Sequence, residues 1–299
     1  MNGITLAALG DSEVRDEILE TFENRGVLVF EGLDMSDELH LEIAGLFGPL
    51  QNYALPVSQK ELTAEEDKAS KAQLLDLEID SLSEVDGEQV SGVLPWHFDS
   101  AYVGNINRGG VLRPVIIPPQ GGETGFADGI QLYDDMPQDL RTAFEDLQIV
   151  YYSKLMFTHQ RFGFPPGLRY LRLGEVQEES IRKCEGARRA IHPAIWQRTT
   201  GERVLHISPF QAAGVYLREN PEGDALLEEM CQEIYSCMTP YWHKWNMDEI
   251  VVWDNWRCLH CVRGYPPGHR RHVQRYTVEG DYGLGFWEPE NQGQQPVPA

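Results

Sequence analysis

The sequence predicts a mainly β fold with flanking α-helices, arranged as a sandwich or barrel. Three observations predict it. From Gly92 onward, short apolar runs such as GVLPWHFDSAYV, GVLRPVIIPP and GETGFAD are separated by Gly and Pro. Helical periodicity is confined to a few segments, of which 221–238 is the longest. The 299 residues are 41% hydrophobic and 24% charged, an ordinary globular mixture that excludes a disordered or collagen-like chain. No repeat of 20–50 residues interrupts this pattern, and the chain reads as a single domain over 1–299.

The elements follow in order. Val14, Ile18, Leu19 and Phe22 recur at helical spacing behind Ser12 as N-cap, and Gly26 ends the helix. VLVFEGL (27–33) reads as a buried strand. Ser36 opens a second amphipathic helix that Gly48 closes, with His40 on its surface. Residues 58–91 are rich in Glu, Asp, Lys and Ser, and read as an acidic insertion or lid around one strand at 74–79. A helix follows Pro137. AIHPAIWQR and RVLHIS flank a turn at TTGE, and EIVVWDN (249–255) is a strand, with another inside 269–281. The tail, 288–299, is Pro, Gln and Gly-rich and reads as flexible.

Charge narrows the function. Twenty-five Lys and Arg against 47 Asp and Glu give −22, which disfavours nucleic acid and anionic membrane as partners and favours a small molecule. No apolar run is long enough to span a bilayer, and the N-terminus lacks the features of a secretory signal. Five cysteines suggest reduced thiols and a cytoplasmic location. A homo-oligomer is left open.

Trp96-His97-Phe98-Asp99 lies in a strand-like stretch, so His97 and Asp99 point to one side and can reach one ion. His260, after a buried strand, is the best third ligand. Two His and one carboxylate leave coordination positions open, which suits non-haem Fe(II) rather than structural zinc. The His-x-Asp triplet alone is weak. Cys258 and Cys261 with His269 and His272 offer a competing zinc reading, weakened by His260 lying between the cysteines. His159, His192 and His206 read as packed or hydrogen-bonded within the fold, and His243, His269 and His272 as strand-end or loop residues. Arg270, Arg271 and Arg275 form either an ion-paired surface strand or a carboxylate clamp, since Arg binds carboxylates in bidentate fashion.

Taken together, these motifs resemble the taurine/2,4-D dioxygenase family of Fe(II)- and 2-oxoglutarate-dependent enzymes. The match runs through Trp96-His97-Phe98-Asp99, Gly121-Gly122-Glu123-Thr124, His243-Lys244-Trp245, Trp253-Asp254-Asn255 and His260 to Arg271-x-x-x-Arg275. Thr124 lies 27 residues after His97, Arg271 lies 11 after His260, and the resemblance spans roughly 13–282. It implies a double-stranded β-helix (jelly-roll, cupin-like) core, with Fe(II) on His97, Asp99 and His260, and 2-oxoglutarate and O2 as cosubstrates. It further implies that Thr124 and Arg271 bind the distal carboxylate of 2-oxoglutarate. Arg275 then faces the cosubstrate headgroup or an anionic substrate group. Phe157 falls where the family places an aromatic beside the substrate, core packing being the alternative, and Tyr102 is a further candidate contact. The expected reaction is hydroxylation of an unactivated C–H bond with release of succinate and CO2. Desaturation, epoxidation or cyclisation by the same centre, and a non-catalytic jelly-roll binding protein, are the alternatives. The stretch 53–75 has no His and only Tyr53, and Val93 stands where the taurine enzyme has an amide, so taurine is not the expected substrate.

Overall fold

The computed structural model describes residues 1–51, 74–153, 156–183 and 187–289. Two antiparallel sheets face each other. One has the order β1 (Val27–Phe30), β15 (Ile250–Asp254), β6 (Gly109–Ile116), β17 (His272–Val278), β2 (Leu75–Leu77). The other runs β14 (Tyr241–His243), β7 (Thr124–Asp128), β16 (Cys258–Val262), β5 (Leu94–His97). Leu112, Phe126, Val251, Trp253, Cys258 and Val273 pack between them. The sequence carries the reason: all five residues of β15 and all five of β16 are buried, so these strands are mostly apolar throughout, broken only by Asp254 and His260, rather than alternating. This is the jelly-roll core that the sequence predicts.

Two further sheets extend it. A four-stranded sheet orders β13 (Ala212–Val215), β8 (Gln148–Tyr151), β10 (Ala190–Pro193) and β18 (Phe286–Trp287). A three-stranded sheet orders β4 (Glu88–Ser91), β3 (Leu82–Val85) and β9 (Leu168–Arg172). AIHPAIWQR is divided at Ala194 between β10 and β11 (Ile195–Gln197), and only β11 forms the hairpin with β12 (Arg203–Leu205). Residues 74–91, where the sequence suggested one strand, carry β2, β3 and β4. The rest of the acidic stretch, 52–73, and with it most of the lid reading, lies outside the described residues, as does the tail from 290. Glu288, at the start of that tail, is tied down: its Oε2 accepts from Arg189 Nε at 2.7 Å.

The helices are α1 (Leu6–Leu9), α2 (Ser12–Arg25), α3 (Asp37–Leu46), α4 (Gly129–Asp135), α5 (Gln138–Phe144), α6 (Glu175–Lys183) and α7 (Pro221–Cys237). In α2 the N-cap is Asp11 rather than Ser12, its Oδ1 accepting from Glu13 N at 2.9 Å. In α7, Asn220 caps and Pro221 occupies the first turn, where its missing N–H costs nothing. Leu227, Met230, Cys231 and Ile234 bury the inner stripe of α7 against the core. Among the described residues no helix is long and apolar enough to cross a membrane, and Cys231, Cys237, Cys258 and Cys261 are free thiols.

His40 corrects the sequence reading. It is fully buried, not on the helix surface, because α3 lies on β6 and β17. Its Nε2–H donates to Val111 O at 3.0 Å and its ring lies 4.8 Å from that of Tyr276. His192 is buried likewise, with Nε2 donating to Val103 O at 2.8 Å. His159, expected to be packed, is exposed beside Thr158.

Burial lowers His40 from 6.5 to about 4. Between those values the unfolded chain binds a proton that the folded chain refuses, so stability falls as pH falls, by about 1.4 kcal/mol per pH unit. Acidifying from pH 7 to 5 should therefore cost the wild type about 2 kcal/mol more than His40→Gln. Urea unfolding of both proteins at the two pH values measures this, and equal losses would show that His40 does not titrate in the window.

Candidate active site

β16 carries His260 and is flanked by β5 and β7. His260 stands directly opposite His97 in β5, and Val262 stands opposite Thr124 in β7. The two imidazole centroids are 4.1 Å apart. The chain leaves β5 at His97 and turns, so Asp99 comes from the turn after the strand rather than from the strand itself. Its Oδ1 lies 3.7 Å from Nε2 of both His97 and His260. Among the described residues, these three are the set of His, Cys, Asp and Glu side chains whose ligand atoms converge, all within 4.8 Å of one another.

Their surroundings fit a cation. His97 Nδ1–H donates to Pro95 O at 2.8 Å, which fixes the tautomer and leaves Nε2 as a lone-pair donor. Burial, with His97 beside it, holds His260 neutral, well below the ordinary imidazole range. Burial opposes the charge on Asp99, but Arg275, His260 and His97 outweigh it and keep the carboxyl ionised. Arg275 Nη1 donates to Asp99 Oδ2 at 2.6 Å, so one carboxylate oxygen is occupied and Oδ1 faces the histidines. Asn255 grips the Asp99 backbone from both sides, accepting from its N–H at 2.8 Å and donating to its C=O at 3.0 Å. Two imidazoles and one carboxylate oxygen, with no thiolate, form the donor set of a divalent iron site with positions to spare. The zinc reading fails on geometry: Cys258 packs between the sheets, and Cys261, three residues on along β16, faces away from it.

Arg271 lies in the same neighbourhood and is buried, at 6% exposed. Its Nε donates to Gly122 O at 2.8 Å and its Nη2 to Thr124 Oγ1 at 3.0 Å. Gly122 has φ +73°, and a Cβ there would come 3.0 Å from Arg271 Cδ, so glycine is what lets the guanidinium lie against the chain. Among the described residues no carboxylate pairs with Arg271, and burial pulls it down to about 10, which leaves it charged at neutral pH. Arg270, by contrast, is exposed and paired with Glu78 at 2.5 Å. The arginine cluster thus divides between the two readings of it, one surface ion pair and two guanidinia turned inward.

Trp245 had no assigned part in the sequence reading. Its Nε1–H donates to Thr124 Oγ1 at 3.1 Å, the same oxygen that accepts from Arg271. A hydroxyl oxygen has two lone pairs. With both occupied, the Thr124 proton can only be donated outward. The turn carrying Trp245 is pinned by buried Glu249, which accepts from Asn246 N at 2.9 Å and from Asn246 Nδ2 at 2.7 Å and stands 3.3 Å from His243 Nε2.

An aromatic wall adjoins the metal ligands. Phe210 meets His97 edge-on at 5.8 Å, and Phe157 meets Phe210 at 5.2 Å. Phe157 is buried and holds φ +56°, a left-handed backbone rare for a large side chain. Phe210 was missed because it sits in a short helical turn, Pro209–Gln211, with no periodic signature. Tyr102 lies half-buried, three residues after Asp99.

A jelly roll with a His-Asp-His set and a buried, anion-seeking arginine defines a non-haem iron dioxygenase that uses Fe(II), 2-oxoglutarate and O2. The chain belongs to the taurine catabolism dioxygenase TauD, TfdA family, whose sequence profile matches residues 2–277. It is 31% identical to the alpha-ketoglutarate-dependent 2,4-dichlorophenoxyacetate dioxygenase of Cupriavidus pinatubonensis, over 92% of this chain and 91% of that one. It is 24% identical to pentalenolactone F synthase of Streptomyces avermitilis, over 95% and 90%. In fold it is similar to AAD-2 in complex with Mn(II) and N-oxalylglycine, with a TM-score of 0.64 at 22% identity over 90% of this chain and 88% of that one.

Trp245→Phe keeps the ring and removes the N–H, freeing the Thr124 hydroxyl to rotate. One neutral hydrogen bond is worth about 1 kcal/mol, so the apparent KM for 2-oxoglutarate should rise about five-fold with kcat little changed. Initial rates of succinate release across 2-oxoglutarate concentrations test this, and an unchanged KM would show that Trp245 does not orient Thr124.

Proposed function

We propose that this enzyme hydroxylates an unactivated C–H bond of a small to medium organic substrate with an apolar or aromatic body. His97, Asp99 and His260 hold the iron, and Arg271 and Thr124 hold the distal carboxylate of 2-oxoglutarate. The observation that carries this reading is the buried Arg271 guanidinium, which lacks a carboxylate partner among the described residues and lies one strand from the His-Asp-His set. A buried cation is costly until an anion joins it. A dicarboxylate reaching from the metal to Arg271 supplies that anion.

When bound, iron with 2-oxoglutarate and O2 supplies the oxidising power that breaks the C–H bond, 2-oxoglutarate leaving as succinate and CO2. The protein's own residues do the rest. Pro95 O holds His97 in the tautomer that leaves Nε2 free. Arg275 occupies the outer oxygen of Asp99, and its Nε has no acceptor among the described residues, so an anionic group of cosubstrate or substrate can approach it there. Thr124 donates its proton to the distal carboxylate. Phe210 and Phe157 exclude water and wall the substrate body, with Tyr102 as a further contact. The similarity to an enzyme named for 2,4-dichlorophenoxyacetate supports an aromatic body. Free thiols at the four described cysteines support a cytoplasmic location.

Arg271→Lys retains the charge and loses the planar fork. The KM for 2-oxoglutarate should rise at least ten-fold, by about 1.4 kcal/mol or more, with Thr124→Ala costing less, about 1 kcal/mol. Asp99→Ala should abolish succinate release. An Arg271→Lys enzyme with unaltered 2-oxoglutarate dependence would place the clamp elsewhere.

Phenoxyacetate tests the substrate class. With Fe(II) and ascorbate it should stimulate succinate release above the rate with 2-oxoglutarate alone. Phe210→Ala should lower that stimulation about ten-fold or more, because the truncation removes a ring that packs beside His97. Absence of stimulation by phenoxyacetate would remove the aromatic-body reading and leave the dioxygenase assignment standing.

A further inference from the structure

Among the described residues, several buried side-chain atoms have no hydrogen-bond partner. Ser81 Oγ, Ser83 Oγ, Tyr170 OH and both amide atoms of Gln177 are among them. Ser81 and Ser83 are 0% exposed and Gln177 is 3% exposed. Buried polar groups are hydrogen-bonded in the great majority of cases, so several without partners in one place call for a ligand that supplies them.

Two of these groups face each other, and the other two lie on neighbouring stretches of the chain. Ser83 in β3 stands directly opposite Tyr170 in β9, so their side chains lie together on one face of the three-stranded sheet. The neighbouring pair, Glu84 and Arg169, turns to the other face and forms an ion pair at 3.0 Å. Gln177 lies one helical turn before Ile181 on α6. Tyr170 and Ile181 both pack on the cluster of Met156, Phe157 and Phe210. Tyr170 meets Phe157 edge-on at 5.9 Å. Three aromatic steps therefore join this polar face to His97.

We propose that Tyr170 and Ser83, with Ser81 and Gln177 beside them, form a distal subsite that binds an uncharged oxygen-bearing group at the far end of the substrate. The inference rests on the reading that Phe210 and Phe157 wall the substrate body. The class of group follows from the chemistry. Tyr170 and the serines can donate to a ketone, ether or hydroxyl oxygen, and the serines can accept in return. Among the described residues no free cation stands on this face to take a carboxylate: Arg169 is paired with Glu84 on the opposite side, and Arg172 donates to Asp80 O at 2.9 Å. Asp80 lies beside Gln177, since both would meet a Cβ added at Gly174, and its carboxylate already engages Arg172 at 3.8 Å. Burial also raises the Tyr170 hydroxyl far above its ordinary range, so it stays a neutral donor.

Two fragments of nearly the same shape test this, 4-methylacetophenone and 4-isopropyltoluene, with binding read by ligand-detected NMR on the full-length protein. The ketone should bind wild type at least five-fold tighter than Tyr170→Phe or Ser83→Ala, and the hydrocarbon should bind all three alike. Tyr170→Phe should keep the wild-type thermal midpoint, because the hydroxyl it removes has no partner among the described residues. Its KM for 2-oxoglutarate should not move. Equal binding of the ketone by wild type and Tyr170→Phe, no binding of the ketone by wild type, or a lowered midpoint in Tyr170→Phe would each overturn the subsite. Phenoxyacetate-stimulated succinate release, measured in parallel, decides the aromatic-body reading separately.

Discussion

The register of β16 is the constraint on which the site depends. One strand, paired on both sides, sets His260 against His97 and Val262 against Thr124. A slip of one residue would turn His260 to the other face and take the metal set apart. That slip is opposed by burial of all five residues of the strand, with Cys258 fitted between the sheets. The position of the chemistry is thus fixed by the same packing that holds the two sheets.

Electrostatics divide the molecule into two regimes. The chain carries −22 overall, yet the centre holds two inward arginines with different partners. Arg275 has its anion within the protein, on Asp99, and fixes which oxygen of that carboxylate is free. Among the described residues Arg271 has only neutral acceptors, Gly122 O and Thr124 Oγ1. Both are needed. A paired arginine orients a ligand, whereas an unpaired one confers affinity for an anion from outside.

Much of the site was legible in the sequence because it is carried by residue types with few other uses in these patterns. His97, Asp99 and His260 could be proposed from type and spacing, and Arg271 was singled out from its neighbours by the family resemblance. The couplings between them could not. Trp245 reaches Thr124 across 121 residues of chain, and Asn255 reaches Asp99 across 156, and nothing local marks either contact. His40 was misplaced because its heptad neighbours look amphipathic, while the decisive fact, that α3 lies on two strands distant in sequence, is tertiary. The β3–β4 hairpin was overlooked amid its charges, although Asp86-Gly87 announces it. Both residues have positive φ, 51° and 87°, as a two-residue hairpin turn requires.

Asn255 has a consequence for how such a site can change. It holds the turn after β5 through the N–H and C=O of Asp99, not through the carboxylate. The path of the turn is therefore held through the backbone of residue 99 as well as through the Arg275–Asp99 ion pair. Substitutions at position 99 can thus be tolerated by the turn even where they remove a ligand. Chemistry and architecture are separately heritable at this point in the chain, and a single amide is what separates them.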